Sequence, residues 1–382
     1  MNILQLTDEY NAAGGMERFI YNLSGKLAEQ GHRTAVAAFG VAGVEAWGDS
    51  LVQTIEPGEE AEAWRQAAER FGAELIMWHA GPRTARIAEH LARYVPVVAT
   101  VHGVLCPSGM RLFRDNDAIC TKQSGIGCML NWYARRCGTD ASPKAAWNGY
   151  TAHKHMMRAL GRCARVYAVS RAVQSFLVLE GVAAGKVRVF DNTLQQQEPE
   201  LQPLQLPSAG SPLKLLYVGR LVYSKGVQYL LRAVHVLGKR GIPVECSIVG
   251  DGWYEPELRG LAASLKLEQT VHFAGKVSGK GIGEWYAASD IVIVPSIWPD
   301  PAPLVVPEAR TCGKPVVVFE AGGLPEWAEV LDGVFVTEHR TPEALADTIV
   351  SVRKQSAVPD AERKRPVRQQ RVNLIRDVTA GL

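Results

Sequence analysis

Short apolar runs alternate with longer segments of helical period along most of the chain, a pattern typical of parallel strands joined by crossover helices. In the first half the expected strands are Ile3–Thr7, Thr34–Ala38, Leu75–His79, Val97–His102, Val166–Val169 and Val187–Phe190. In the second half they are Lys214–Val218, Glu245–Val249, Val271–Ala274, Ile291–Pro295 and Pro315–Phe319. Met16–Gln30 carries apolar residues at four-residue spacing and predicts a helix that ends before Gly31. The pattern predicts an α/β protein with two doubly wound sheets.

A segment without apolar periodicity separates the two halves. Residues 194–212 are rich in Gln, Pro, Glu and Ser, which predicts a linker. We therefore expect an N-terminal domain of residues 1–193, a C-terminal domain of residues 213–350 and a basic tail of residues 351–382. Doubly wound domains bind ligands at the carboxyl ends of their strands. The two Rossmann-like domains are thus expected to face each other across a ligand cleft.

The alternation stops between residues 103 and 150, and loops of this length are usually functional or disordered. Trp132, Tyr133 and Trp147 could stack on a sugar face and Arg135 and Arg136 could meet a phosphate, so we expect this insertion to shape a ligand site. The alternative is a surface excursion whose aromatic side chains only pack against the first domain.

Four cysteines of the insertion suit a structural zinc ion, because thiolates are preferred zinc ligands. They are Cys106, Cys120, Cys128 and Cys137. Their spacing contains no C-x-x-C pair, so four reduced thiols in a packed loop are the alternative. The other three cysteines lie in apolar contexts typical of the core.

Charge and hydropathy restrict the classes of partner. The formal net charge is only +3 over 382 residues, which gives no argument for nucleic-acid binding. No apolar run reaches the ~18 residues of a membrane span, and the N-terminus lacks the features of a signal peptide. These observations predict a cytoplasmic protein. Residues 351–382 carry eight Lys/Arg against three Asp/Glu. This tail is expected to contact the inner face of an anionic membrane, to cross back to the first domain, or to remain a solvated charge run.

Two glycine turns follow the first two strands of the second half. Gly219 and Arg220 end the first strand, with Lys225 shortly after, and Gly252 lies in the turn after the next strand. Glycine lets a backbone approach a ligand closely, and the guanidinium and ammonium groups suit a diphosphate. By themselves, an Arg and a Lys five positions apart after a strand are more often surface charges.

Two carboxylates occur at a fixed spacing further along. Asp300 follows the strand Ile291–Pro295, and Glu308 stands eight positions beyond it. Carboxylates accept hydrogen bonds from sugar hydroxyls. One carboxylate in a loop and a second in the following helix are therefore suited to bind the hydroxyls of a sugar.

With these motifs in order, the chain resembles the GT4 family of retaining glycosyltransferases, whose fold is GT-B. The resemblance covers roughly residues 1–350. It rests on Gly219-Arg220-Leu221, Lys225-Gly226, Gly250-Asp251-Gly252, a segment similar to the family's E-x7-E signature, the N-terminal Gly14-Gly15-Met16-Glu17 and Val101-His102.

The resemblance implies a donor site made of Gly219, Arg220, Lys225, Gly252, Asp300, Leu304, Val305 and Glu308. Arg220 and Lys225 would hold the diphosphate and stabilise the charge of the leaving group, while Glu308 would bind the ribose. Asp300 and the backbone after it would touch the donor sugar. On the other domain, His102 would hydrogen-bond the sugar, and Gly15 and Glu17 would lie on the acceptor side. The insertion of residues 103–150 directly follows His102 and would shape the acceptor site.

Without the resemblance, some residues of the first domain could equally have purely structural roles. His102 and His79 could each cap a strand, and Glu17 could simply stabilise the start of its helix.

The chain departs from the family pattern at Asp300, which is one methylene shorter than the usual Glu, and at Pro301 and Pro303, which remove backbone donors. We interpret these changes as tuning of donor specificity. The implied reaction transfers a hexose-type sugar from a nucleotide-diphosphate donor to a glycan or lipid-linked glycan acceptor, such as an envelope polysaccharide or lipopolysaccharide. Configuration is retained, and no catalytic cofactor is required.

Two other functions fit a GT-B chain. A sugar-nucleotide epimerase shares the fold but needs additional acid and base groups and no acceptor. A non-catalytic nucleotide-sugar-binding protein would explain the changes at Asp300 and Pro303.

Overall fold

The computed structural model describes residues 1–11, 15–42, 51–54, 61–138, 140–190, 202–205, 211–277, 281–354 and 372–380. The chain divides into two compact units. The first consists of Met1–Asn116, Cys120–Gln197 and Gln370–Leu382, and the second of Asp117–Ile119 and Glu198–Gln369. Within the described ranges no helix combines the length and apolar character needed to cross a membrane.

The first unit is built on a seven-stranded parallel sheet of order β3-β2-β1-β4-β5-β8-β9. Its strands are β1 (Asn2–Asn11), β2 (Arg33–Ala42), β3 (Leu51–Thr54), β4 (Leu75–His79), β5 (Val97–Val101), β8 (Arg165–Ala168) and β9 (Val187–Val189). Its helices are α1 (Gly15–Glu29), α2 (Ala61–Phe71), α3 (Ala85–Leu91), α4 (Gly127–Ala134), α5 (Pro143–Arg162), α6 (Arg171–Leu179) and α13 (Leu374–Thr379). The insertion also contains two short strands, β6 (Leu112–Phe113) in the first unit and β7 (Ala118–Ile119), which is grouped with the second unit.

The second unit has a six-stranded parallel sheet of order β12-β11-β10-β13-β14-β15. Its strands are β10 (Leu213–Val218), β11 (Val244–Val249), β12 (Val271–Gly275), β13 (Ile291–Val294), β14 (Val316–Phe319) and β15 (Val334–Thr337). Its helices are α7 (Val227–Lys239), α8 (Glu255–Ser264), α9 (Ile282–Ala288), α10 (Val305–Thr311), α11 (Leu324–Val330) and α12 (Pro342–Lys354).

The strand order reverses once in each sheet. In the first unit the chain moves outward from β1 to β3 and then returns to place β4 on the other side of β1. In the second unit the chain likewise moves outward from β10 to β12 and then returns to place β13 on the other side of β10. A ligand crevice forms outside the carboxyl ends of the strands at such a switch point. The predicted α/β class with two doubly wound sheets is confirmed, and the switch points locate the candidate sites.

Several predicted boundaries differ from the structure. Helix α12 continues to Lys354, beyond the expected domain end at residue 350. Most of the expected linker lies outside the described residues. Gln205 of its described part bonds to Gly313 and Lys314 within the second unit, with Lys314 Nζ 2.8 Å from Gln205 Oε1. In the tail, residues 372–380 belong to the first unit, where Tyr167 donates to Asp377 at 2.8 Å.

A buried ionic cluster fixes the insertion within the first unit. Arg111 has a side chain fully removed from solvent, and its guanidinium pairs with Glu180. Glu180 also accepts hydrogen bonds from His153 Nε2 at 3.0 Å and from the Ser124 hydroxyl at 2.9 Å. Arg111 donates in addition to the carbonyl of Cys120 at 3.1 Å. One buried cation therefore ties separate turns of the insertion to the end of α6.

Removal of the negative charge from this cluster should destabilise the first unit. Glu180→Gln leaves the Arg111 guanidinium buried without a counter-ion, and we expect the free energy of unfolding to fall by roughly 3 kcal/mol. Although burial raises the pKa of Glu180, hydrogen bonds from His153 and Ser124 lower it overall. The difference between variant and parent should therefore persist at neutral pH and narrow only as the pH falls through the lowered pKa of Glu180, where the carboxylate of the folded parent becomes protonated.

Urea denaturation at several pH values measures both effects. Glu89→Gln is the control, because Glu89 pairs with Arg162 at the surface at 3.2 Å and such pairs contribute little. Equal destabilisation by the two substitutions would contradict the assigned role of Glu180.

Candidate active site

The turn after β10 holds Arg220 by close backbone packing. The Tyr217 hydroxyl donates to the Arg220 carbonyl at 2.9 Å. A Cβ atom on Gly250 would lie 1.8 Å from the Gly219 carbonyl oxygen, and one on Gly252 would lie 2.2 Å from the Leu221 carbonyl oxygen. Only glycine fits both positions, so the turns after β10 and β11 pack backbone to backbone. The exposed Arg220 side chain thus extends from a rigid turn at the carboxyl edge of the sheet.

Lys225 and Asp300, predicted for the diphosphate and the sugar respectively, form a direct ion pair. Lys225 Nζ lies 2.5 Å from Asp300 Oδ2, and the Ser296 hydroxyl donates to the same oxygen at 3.0 Å. Asp300 is only 4% exposed, and a buried carboxylate requires a cationic or hydrogen-bonding partner. An ammonium group has three donors, so this pair orients Lys225 and leaves donors for a ligand. Ser296 has no place among the residues that the sequence predicted.

A glycine pair supports the loop that carries Asp300. Gly323 donates its backbone N–H to the Asp300 carbonyl at 2.7 Å. Gly322 has a φ of +61°, and a Cβ atom there would lie 2.4 Å from the Pro299 carbonyl carbon. The backbone around Asp300 is therefore fixed by contacts as well as by the neighbouring prolines.

Glu308 lies in the first turn of α10, which begins at Val305 after the N-cap residue Leu304. The Tyr286 hydroxyl donates to Glu308 Oε2 at 3.2 Å. Burial, followed by the charge of Glu308, raises the pKa of Tyr286, so the phenol remains a donor. Glu308 is half-buried, and the tyrosine that orients it was not predicted from the sequence.

In the first unit the predicted residues follow β1, β4 and β5. Gly15 begins α1 and Glu17 lies in its first turn, while Gly14 lies outside the described residues. His79 ends β4 and His102 follows β5. Burial lowers the pKa of His102 to about 4, so the imidazole is neutral near pH 7 and can act as a hydrogen-bonding group.

The four cysteines of the insertion line one pocket together with Arg111 and Trp132. Burial raises the pKa of Cys137 to about 11, and the neighbouring thiolates Cys106, Cys128 and Cys120 add to this effect. All four thiols are free. Among the described residues no three Cys, His, Asp or Glu side chains are arranged to hold a metal ion. The side chains converge as a cluster, and zinc binding stays a prediction.

The predicted aromatic residues of the insertion have different environments. Trp132 is 4% exposed and donates its indole N–H to the Asp140 carbonyl at 2.7 Å, so it is a core residue without an open face for a sugar. Tyr133 and Trp147 are 45% and 56% exposed. Arg135 pairs with Asp115 at 2.6 Å, whereas Arg136 is exposed. The prediction for Trp132 is therefore corrected.

Comparisons with known proteins agree with these features. The family model described as Glycosyl transferases group 1 matches residues 200–371, and the model described as Glycosyltransferase Family 4 matches residues 13–195. The two matches do not overlap and follow the order of the two units.

A curated relative is the amylovoran biosynthesis glycosyltransferase AmsK of Erwinia amylovora. It is 30% identical over 195 residues, which is 50% of this chain and 47% of the relative. The first curated relatives that match do so over less than half of their own length.

Two solved structures share the fold. HepE of Anabaena, in complex with UDP, superposes with a TM-score of 0.67 at 20% identity and covers 94% of this chain and 91% of its own. WaaG, a glycosyltransferase involved in lipopolysaccharide biosynthesis, superposes with a TM-score of 0.61 at 16% identity and covers 94% and 96%. These similarities confirm the GT-B fold.

Alanine substitutions at two glycines, one next to Lys225 and one inside α7, should have opposite effects on the free energy of unfolding. Gly226 has a φ of +72°, and a Cβ atom would lie 1.8 Å from the Pro295 carbonyl oxygen. Gly226→Ala should therefore lower the free energy of unfolding by more than ~1–2 kcal/mol. At Gly238, inside α7, a Cβ atom would meet no atom of a neighbouring element within 4 Å, so Gly238→Ala should raise it by ~0.5–1 kcal/mol. Thermal denaturation measures the stability of both variants. A Gly226→Ala protein as stable as the parent would contradict the close packing of Gly226 against the Pro295 carbonyl.

Proposed function

Because the chain belongs to Glycosyltransferase Family 4, we propose that it moves a hexose-type sugar from a nucleoside-diphosphate donor to a glycan acceptor of the cell envelope. The observation that carries this proposal is the position of Arg220, Lys225 and Glu308 around one switch point of the second sheet. The structures of HepE with UDP and UDP-glucose support a nucleotide-sugar donor. AmsK and WaaG support an envelope polysaccharide or lipopolysaccharide as the acceptor.

The proposed role of the two cations is to stabilise the leaving diphosphate. During transfer, the bond between the anomeric carbon and the phosphate oxygen breaks, and the acceptor oxygen bonds to the same face of that carbon. The acceptor proton passes to an oxygen of the departing diphosphate. Negative charge develops on the diphosphate, where the cations Arg220 and Lys225 would stabilise it, and Lys225 is already held in place by Asp300. Glu308 would accept hydrogen bonds from the ribose hydroxyls.

Substitutions in this site should separate nucleotide binding from transfer. Arg220→Ala removes an exposed side chain and should lower the rate of transfer by on the order of 10²-fold. Glu308→Gln should weaken the binding of UDP, measured by calorimetry, while the melting temperature without ligand stays close to that of the parent. Arg240→Ala and Glu255→Gln are surface controls. The assignment fails if Arg220→Ala transfers at the parental rate and Glu308→Gln binds UDP as the parent does.

We further propose that the first unit meets an anionic membrane surface through α4. Ile126, Leu130 and Tyr133 occur at helical spacing and are 79%, 75% and 45% exposed, and Trp147 of α5 is 56% exposed. The exposed cations Lys122, Arg136 and Lys144 belong to the same insertion. An apolar helix face combined with basic residues is typical of helices that lie in a membrane interface. A lipid-linked acceptor would be available at such a surface.

Vesicle co-sedimentation tests the role of α4. The parent should bind vesicles that contain anionic lipids, and its binding should decrease with salt because exposed charges are screened. Leu130→Gln should weaken binding roughly 10-fold, since the leucine side chain would otherwise be removed from water. Val178→Gln is the control, because Val178 is an exposed apolar residue on α6. Parental binding by Leu130→Gln, or binding insensitive to salt, would contradict this proposal.

A further inference from the structure

A series of hydrogen bonds between buried polar side chains begins on α1 and continues through a side chain of β1. The Ser24 hydroxyl donates to the Ile20 carbonyl at 3.0 Å, so its oxygen is left as an acceptor. Gln5 Nε2 donates to that oxygen at 2.7 Å. The amide oxygen of Gln5 must then face the other way, where it lies 3.0 Å from His79 Nε2. An amide oxygen only accepts hydrogen bonds, so His79 carries its proton on Nε2.

The same reasoning continues to His102. A neutral imidazole protonated on Nε2 has a lone pair on Nδ1, and His79 Nδ1 lies 2.8 Å from the Thr100 hydroxyl. Thr100 must therefore donate its only proton to His79. The Thr100 oxygen lies 3.2 Å from His102 Nε2 and can act toward it only as an acceptor. His102 consequently holds its proton on Nε2.

Both imidazoles stay neutral in this environment. Burial lowers the pKa of His79 far below its ordinary value, and a protonated His102 beside it would lower that pKa further. Burial also lowers the pKa of His102 to about 4. Gln5, His79 and Thr100 are completely buried, whereas His102 is the partly exposed end of this series. The ring of His102 is held further by Phe19, whose centroid lies 4.7 Å away.

We propose that Gln5, His79 and Thr100 are positioning residues that fix His102 as the tautomer with a free lone pair on Nδ1. Among the hydrogen bonds of the described residues, none involves this nitrogen, and His102 therefore offers a hydrogen-bond acceptor to a ligand. This proposal rests on the proposed function in one respect: the ligand group that His102 selects is a hydroxyl of the donor sugar, which must donate its proton.

The fixed tautomer has a consequence for donor specificity. A sugar that carries hydrogen in place of the selected hydroxyl leaves Nδ1 without a partner, and loss of one such bond reduces kcat/KM by about 10- to 100-fold. A carbonyl or ether oxygen at that place is also rejected, because two acceptors then face each other. A histidine free to exchange tautomers would discriminate less, since it could donate as well as accept.

Nitrogen-15 NMR of the free protein, labelled on its histidines, tests the tautomer without any substrate. The His102 signals are identified by their loss in His102→Gln. We expect Nε2 to show the resonance of a protonated ring nitrogen and Nδ1 that of an unprotonated one near pH 7. A proton on Nδ1 would overturn the proposal, because it requires every donor in this series to point the opposite way. The tautomer itself is read from the spectrum of the parent protein, and His102→Gln serves only to assign the signals.

Thr100→Val and Thr100→Ser separate positioning from packing. Thr100→Val keeps the shape but removes the hydroxyl, so we expect mixed His102 tautomers and a fall in kcat/KM of about 10-fold or more. Thr100→Ser keeps the hydroxyl and should retain the parental spectrum and most of the activity. A parental spectrum in Thr100→Val would show that this series of hydrogen bonds does not set the tautomer of His102. If no nucleotide sugar is used by the parent, the proposed function fails, while the spectra still decide the assignment of the tautomer.

Discussion

Both units depend on one constraint, which is that the strands of their parallel sheets are covered on both faces. Strands β4, β5, β13 and β14 are buried along their whole length. Polar side chains on such strands must find partners inside the protein, and groups that meet a ligand must stand where the strands end. Arg220 and Asp300 follow adjacent strands of the second sheet, and His79 and His102 stand at the ends of adjacent strands of the first.

The same constraint explains why the side chains of the candidate sites are held by hydrogen bonds and ion pairs inside the protein. Asp300 has little access to water and is compensated by Lys225 and Ser296. Behind His102, the buried Thr100 and His79 satisfy each other. Asp300, Glu308 and His102 thus each have hydrogen-bonding partners within their own unit. Such preorganisation is what stabilisation of a charged leaving group requires.

The sequence predicted the strands well because strands buried on two faces appear as continuous apolar runs. Leu75–His79 was predicted with the bounds that the structure shows. The short strands β3 and β15 were missed, since Leu51–Thr54 and Val334–Thr337 are brief and include polar or half-buried positions. The glycine turn after a predicted strand likewise indicated Arg220, and the eight-residue offset from Asp300, together with the family signature, indicated Glu308.

Contacts between distant residues could not be predicted in this way. Lys225 and Asp300 are 75 positions apart, and Arg111 and Glu180 are 69 apart, so no local pattern reveals that they pair. Trp132 was expected to face a sugar because it is aromatic, yet the fold of the insertion buries it. Which side of α4 is covered depends on the tertiary packing of the insertion rather than on its composition.

The central claim is that this chain breaks the bond between a sugar and a nucleoside diphosphate. The most direct test is a proton NMR time course of the purified protein with UDP-, GDP- and ADP-sugars, with and without a glycan acceptor. We expect at least one donor to yield free nucleoside diphosphate, together with a sugar that retains its anomeric configuration. Conversion of the donor into an isomeric nucleotide sugar would instead indicate an epimerase. Binding without any change in the donor would contradict catalysis altogether.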